Sequence, residues 1–222
     1  QGLIKLLLPL VILIAVISIA VLPFVGLDAL WSTGSGTSLL LFLLAFMLFF
    51  TNAVYQDGRG AEPYPLWLHR ILYAGLCLTP VIAALSFYGL WLRVAQYGWT
   101  ITRSWALVAW LLLALFSLGY FIGIVRRRDA WTHDLGRVNT WMGLVVLAVM
   151  LLANSPLLDF RKLSVASQLS RVESGELELR DLDFWYFRHS LARPGYLAME
   201  EIKSSTDDAR VLELIAKPRP SY

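Results

Sequence analysis

The chain has 222 residues, of which 58% are hydrophobic and 16% charged, with a mean hydropathy of +0.62 and a formal net charge of +3. Soluble domains run at roughly 45–50% apolar and about 25% charged, so this composition excludes an ordinary soluble enzyme. The thin positive charge on a greasy sequence also excludes a disordered or nucleic-acid-binding chain, and a lone cysteine, Cys77, supplies neither a disulfide framework nor a thiolate metal cluster.

An integral membrane protein remains. A helix crossing about 30 Å of hydrocarbon needs about 20 mainly apolar residues. Five segments meet that need, at 2–25, 38–55, 66–90, 101–125 and 140–153; the second is short, and the fifth must borrow from 137–139 or 155–158 to cross. Backbone in lipid satisfies its own hydrogen bonds, and the alternation of a barrel is absent, so the spans are read as helices. Pro9 and Pro80 lie inside spans and predict kinks. The chain opens at Gln1 and turns hydrophobic at once, which reads as a processed start or as part of a longer protein. The apolar run over 1–26 is too long for a signal peptide.

Charge divides the chain. Residues 1–160 hold nine Lys/Arg and six Asp/Glu, whereas residues 161–222 hold ten of each. The step follows Asn154-Ser155-Pro156 and separates a lipid-solvated part, 1–158, from a water-solvated tail, 159–222. The expected fold is all-α: a polytopic transmembrane helical bundle of about five spans, with a small helical extramembrane region at its C-terminus. Trp31, Tyr55, Tyr64, Trp67, Trp91, Tyr97, Trp99, Trp131 and Trp141 gather near span ends, where amphipathic rings anchor at headgroup level. One side of the membrane receives seven cations (Lys5, Arg59, Arg70, Arg126, Arg127, Arg128, Arg137), the other four (Arg93, Arg103, Arg161, Lys162). The positive-inside rule then predicts a cytoplasmic N-terminus and an extracytoplasmic tail.

Two polar clusters are candidate sites. Asn52, Tyr55, Gln56 and Asp57 end the second span; Asn52 shares a helical face with Tyr55 and Gln56, and at membrane depth it needs an interhelical partner. The competing reading is a helix end meeting water, with Asp57-Gly58 as its turn. Arg93, Gln96, Tyr97 and Arg103 flank the tight connection between the third and fourth spans, where Gly98 permits a bend and Thr100 or Thr102 caps the next helix. Arg93 and Tyr97, four apart, allow a guanidinium to lie along the ring; a functional role needs an acidic or phosphate-bearing partner for Arg93 and Arg103, and interfacial snorkelling is the competing reading. His69-Arg70, His133-Asp134 and His189 lack metal-ligand spacing, and no phosphate loop, nucleophile elbow or paired intramembrane carboxylate is apparent. No catalytic residue, metal or cofactor is assigned.

In the tail, 163–172 reads as a helix ended by Ser174-Gly175, 196–203 as a short helix after Pro194-Gly195, and the last helix opens at 205–208 and closes at Lys217-Pro218. Phe184, Trp185, Tyr186 and Phe187 are too apolar to leave in water and are expected to dock on neighbouring helices, the bilayer or a partner. So few core positions make a marginal independent domain.

The motifs Asn52-Ala-Val-Tyr55-Gln56-Asp57-Gly58, Arg93-x-x-Gln96-Tyr97-Gly98-x-Thr100-x-x-Arg103, Asn154-Ser155-Pro156, Ser164-x-x-Ser167-Gln168-Leu169-x-Arg171, Gly175, Asp183-Phe184 and Pro194-Gly195-Tyr196 together resemble the DUF4153 family of bacterial membrane proteins. The resemblance covers most of the chain and implies the C-terminal portion of a polytopic envelope protein, without an activity or a catalytic residue. The leading functional expectation is a scaffold or regulatory subunit of a membrane assembly in the bacterial inner membrane, with the lipid bilayer and other envelope proteins as partners and no nucleic acid. A transporter or channel component using Asn52, Gln56, Arg93 and Arg103 is the alternative, followed by a membrane enzyme acting on lipid-linked substrates near His69, Arg70 or Asp57.

Overall fold

The computed structural model describes residues 2–32, 34–56, 63–155 and 157–216, apart from the side chains of residues 28 and 29. Asp57 and the Lys217-Pro218 stop lie outside the described residues. Among the described residues every regular element is a helix, and there is no strand. It divides into two compact units, residues 1–92 with 106–150 and residues 93–105 with 151–222.

Five helical segments are long and apolar enough to cross a membrane: Gly2–Val25, Gly36–Tyr55, Leu66–Tyr97, Ile101–Ala130 and Thr132–Ala153. The first unit draws on α1 (Gly2–Val25), the short α2 (Leu27–Ser32), α3 (Gly36–Tyr55), α4 (Leu66–Leu76), and most of α5 (Thr79–Tyr97), α6 (Ile101–Arg127) and α7 (Thr132–Ala153). Its core joins Leu8, Ile12 and Ala15 of α1 to Leu44, Met47 and Leu48 of α3 and to Leu72 and Leu76 of α4. A Cβ on Gly75 would run into the Ile12 side chain, so glycine is what lets α4 come so close to α1.

The fifth span borrows from its N-terminal side. It starts at Thr132, eight residues before the purely apolar run begins at 140, because Asp134 is held by Arg127 at 2.9 Å and Arg137 at 3.6 Å in its first turns. Twenty-two residues then give roughly 33 Å of helix.

Both expected proline kinks have a local answer. Proline cannot donate to the carbonyl four residues back. For Pro80 that carbonyl is Leu76 O, which accepts instead from the Thr79 hydroxyl at 2.7 Å, and the helix breaks at residues 77 and 78. For Pro9 it is Lys5 O, which accepts from the Tyr64 hydroxyl at 2.7 Å, while α1 continues unbroken through the proline.

The second unit contains α8 (Phe160–Glu173), α9 (Phe184–His189), α10 (Ala192–Ser205) and α11 (Ala209–Ala216). Asp159 caps α8 by accepting from the Arg161 and Lys162 amides, Asp183 caps α9 through the Tyr186 amide at 2.8 Å, and Asp208 accepts from the Arg210 amide at 3.0 Å at the start of α11. α10 begins four residues earlier than its expected start at 196, taking in Pro194 and Gly195, since proline is tolerated in a first helical turn. The unit has a buried core of its own, formed by Leu182, Phe184, Phe187, Leu191, Ala198, Met199, Ile202, Val211 and Ile215. That core takes in half of the aromatic quartet: Phe184 and Phe187 are buried within the tail itself.

Candidate functional site

Asn52, on α3 of the first unit, finds the interhelical partners that its depth demands. Its amide nitrogen donates to Leu48 O at 2.9 Å, and its carbonyl accepts from Asn139 Nδ2 on α7 at 2.6 Å. The Tyr120 hydroxyl on α6 lies 2.9 Å from that same oxygen and 2.6 Å from Asn139 Oδ1. One hydroxyl proton is thus shared between two amide oxygens, and three spanning helices are tied at one point. Tyr120 stands in a largely apolar run that also holds Ser117, and no local signal names it as the partner of Asn52.

Tyr55 turns to a different set. Its hydroxyl lies 2.9 Å from His69 Nδ1, and His69 Nε2 lies 3.1 Å from Asp129 O. Both ring nitrogens are satisfied when Tyr55 donates to Nδ1 and the Nε2–H donates to the backbone carbonyl. His69 is fully buried, among Tyr55, Tyr73 and the stacked indole of Trp131. Next to it Arg70 clasps the Asp129 carboxylate through Nε at 3.1 Å and Nη2 at 2.7 Å, and the Tyr73 hydroxyl adds a third donor at 3.1 Å. The expectation that Tyr55, Tyr64 and Trp131 anchor at the lipid surface is therefore corrected. They are buried inside the first unit, where His69 and Lys5 O give their polar atoms or faces something to meet, whereas Trp67, Trp91 and Trp141 are exposed. Burial pushes the Tyr64 phenol up to about 12, so it remains a donor at neutral pH. Gln56 is exposed at the end of α3.

Arg93, Gln96, Tyr97 and Arg103 belong to the second unit, with Asn52, Tyr55 and Gln56 in the first. α5 ends where Gly98 adopts φ +70, its amide bonding Val94 O at 2.8 Å. The carbonyls left open at that helix end are then covered by one face of α8. Arg171 Nη2 donates to Gln96 O at 3.0 Å, Gln168 Nε2 to Tyr97 O at 3.0 Å, and the Ser164 hydroxyl to Trp99 O at 3.2 Å. Ser167 Oγ accepts from the Trp99 amide at 2.9 Å, and the Tyr186 hydroxyl accepts from the Ile101 amide at 2.9 Å. Positions 164, 167, 168 and 171 lie on one helical face, so the spacing of this tail motif is a backbone clamp.

A cation does lie over the Tyr97 ring, that of Arg103, 5.4 Å from the centroid. The turn at Gly98 reverses the chain, bringing Arg103 Nη1 to Tyr97 O at 3.2 Å and Gly98 O at 2.7 Å. Two guanidinium groups thus sit at the negative end of the α5 dipole. Of the remaining aromatics, Trp185 stacks on His189 with centroids 4.7 Å apart and stays partly exposed, and Tyr186 lends its hydroxyl to the clamp. Farther along the tail the Arg180 guanidinium, 2.8 Å from Asp208, holds that carboxyl below its ordinary range. Among the described residues, no three His, Cys, Asp or Glu side chains gather as metal ligands.

A family model described as a domain of unknown function (DUF4153) matches residues 3–202. No curated protein and no solved structure matches the chain. The match runs through all five spans, the clamp and most of the tail, and on that extent the chain belongs to the DUF4153 family.

Proposed function

We propose that this protein works in the bacterial inner membrane as a scaffold or regulatory subunit of an envelope assembly, presenting its tail to partner proteins on the extracytoplasmic side. One observation carries the reading: the polar side chains that the two candidate networks bring together in the first unit are engaged with one another, although Ser117 Oγ and Trp131 Nε1 are buried without a hydrogen-bond partner. Asn52 is tied to Tyr120 and Asn139, His69 to Tyr55 and the Asp129 backbone, and Arg70 to the Asp129 carboxylate. Networks satisfied in this way fix helix positions and rigidify a fold. The second unit suits a presenting role, because it combines its own core with exposed Tyr196 and Leu197 on α10. The excess of cations near the opposite loops supports the orientation.

The test is photo-crosslinking in intact cells from probes placed at Tyr196 and Trp185. Discrete adducts to one or two membrane or envelope proteins, lost when Leu197 becomes Glu, are expected. Crosslinks to lipid alone, together with loss of a solute flux or lipid-linked reaction on substituting Asn52 or His69, would replace this reading with one of transport or catalysis.

A further inference from the structure

The second unit contains a cleft of about 660 Å³ whose walls come from the ends of two spans. Ile101, Thr102 and Trp105 belong to the first turns of α6, while Ala153, Asn154 and Ser155 close α7. Residues at span ends lie where hydrocarbon gives way to headgroups, so the mouth of the cleft is at headgroup level. Its lining is suited to that boundary. Trp105 and Phe160 meet edge to face with centroids 5.4 Å apart, and Leu158 and Ile101 extend the apolar wall. Aromatic rings of this kind concentrate where a ligand is apolar at one end and wet at the other.

The cleft's own lining carries one charge of each sign, Arg161 and Asp159, and the excess of cations lies in the groove beside it. Arg161 lines the cleft and also a neighbouring groove of about 640 Å³, where Lys162 and Arg193 join it over an apolar floor that includes Val165, Leu169 and Leu197. The carboxylates nearby are Asp159 and Glu201. The Asp159 carboxylate is turned to the helix end, accepting from the Arg161 amide at 3.0 Å and the Lys162 amide at 3.4 Å. Three cations therefore face Glu201 and a carboxylate already engaged in capping.

We propose that this cleft and the groove that shares Arg161 with it together hold an anionic phospholipid of the surrounding bilayer, its phosphate against Arg161 where the two meet and Lys162 in the groove, its glycerol and upper acyl segments against Trp105 and Phe160 in the cleft. The occupant follows from both halves of the site. A soluble anion would leave the Trp105–Phe160 wall unused, and a zwitterionic lipid would leave the excess cations unanswered. The proposal is independent of the scaffold reading, since a lipid bound at this depth serves any membrane protein of this shape of rim and wall.

Native mass spectrometry of the full chain, delipidated in mild detergent and titrated with phosphatidylglycerol or phosphatidylcholine, tests it. Wild type should retain phosphatidylglycerol preferentially. Arg161→Gln and Lys162→Gln should each weaken retention by about fivefold, the share of one basic residue at an anionic lipid surface. Trp105→Ala should weaken it while leaving the headgroup preference in place. Lys203→Gln, which removes the same charge from the exposed side of α10, should change nothing. Equal retention of the two lipids, unchanged retention in the Lys162 variant, or displacement by soluble glycerol phosphate would overturn the proposal.

Discussion

The Tyr64 hydroxyl donates at 2.7 Å to the Lys5 carbonyl, the carbonyl that Pro9 deprives of its helical amide. A side chain from just ahead of α4 thus completes the backbone of α1, at a place where lipid could not. Tyr64→Phe leaves that acceptor open and should cost about 1–3 kcal/mol. In a Pro9→Ala background residue 9 regains its amide, and the same change should cost far less. Unfolding by dodecyl sulfate from bicelles, read as a double-mutant cycle, measures the difference. Because the folded phenol titrates near 12 against an ordinary 10.0, its contribution holds below pH 10 and is lost as pH rises toward 12. Tyr64→Phe should flatten that decline.

The Asn52–Tyr120–Asn139 knot should behave as one unit. Each of Asn52→Leu, Tyr120→Phe and Asn139→Leu should lower stability by roughly 0.5–2 kcal/mol, the range of interhelical hydrogen bonds in bilayers. Asn52→Leu combined with Asn139→Leu should fall short of the sum, since the second change removes a partner already lost. Strict additivity would show that the three side chains do not share bonds.

The α8 clamp makes a prediction at single amides. Ser167→Ala removes the acceptor of the Trp99 amide, so exchange there should quicken while the Ser104 amide, bonded to Thr100 O at 2.9 Å, keeps its protection. Gly98→Ala forces a Cβ into φ +70 and to within about 3 Å of Arg171 and Gln168, and it should destabilise by roughly 1–3 kcal/mol.

In the tail, Arg180 depresses the Asp208 carboxyl below its ordinary 3.8. A carboxylate with a lowered folded pKa contributes stability above its unfolded pKa and loses it as pH falls through the folded one. The gap in thermal midpoint between wild type and Arg180→Gln should therefore be present at neutral pH and close below about pH 4. A gap that persists in acid would assign Arg180 a packing role instead.

The spans were legible because twenty apolar residues in a row have no soluble alternative, and their helical nature follows from backbone hydrogen bonding alone. The start of the fifth was not legible, because His133, Asp134 and Arg137 look like loop until Arg127 on α6 pairs with Asp134. Asn52 announced its need for a partner, yet neither Tyr120 nor Asn139 carries a local signal naming it. Helical spacing pointed only to Arg93 for the Tyr97 ring, and could not show that the turn at Gly98 brings Arg103 over it. The spacing of Ser164, Ser167, Gln168 and Arg171 was visible as a motif, but its meaning lay in the carbonyls of another segment. Phe184 and Phe187 were right to demand burial and found it within the tail.

The most direct test of the membrane arrangement is labelling of single cysteines by an impermeant maleimide, in a Cys77→Ser background, from either side of sealed membranes. The unit formed by residues 93–105 and 151–222 requires Gln96→Cys and Ser204→Cys to react from the same side, and five spans require Arg126→Cys to react only from the other. Reaction of Gln96→Cys and Ser204→Cys from opposite sides, or of all three from one side, would contradict it.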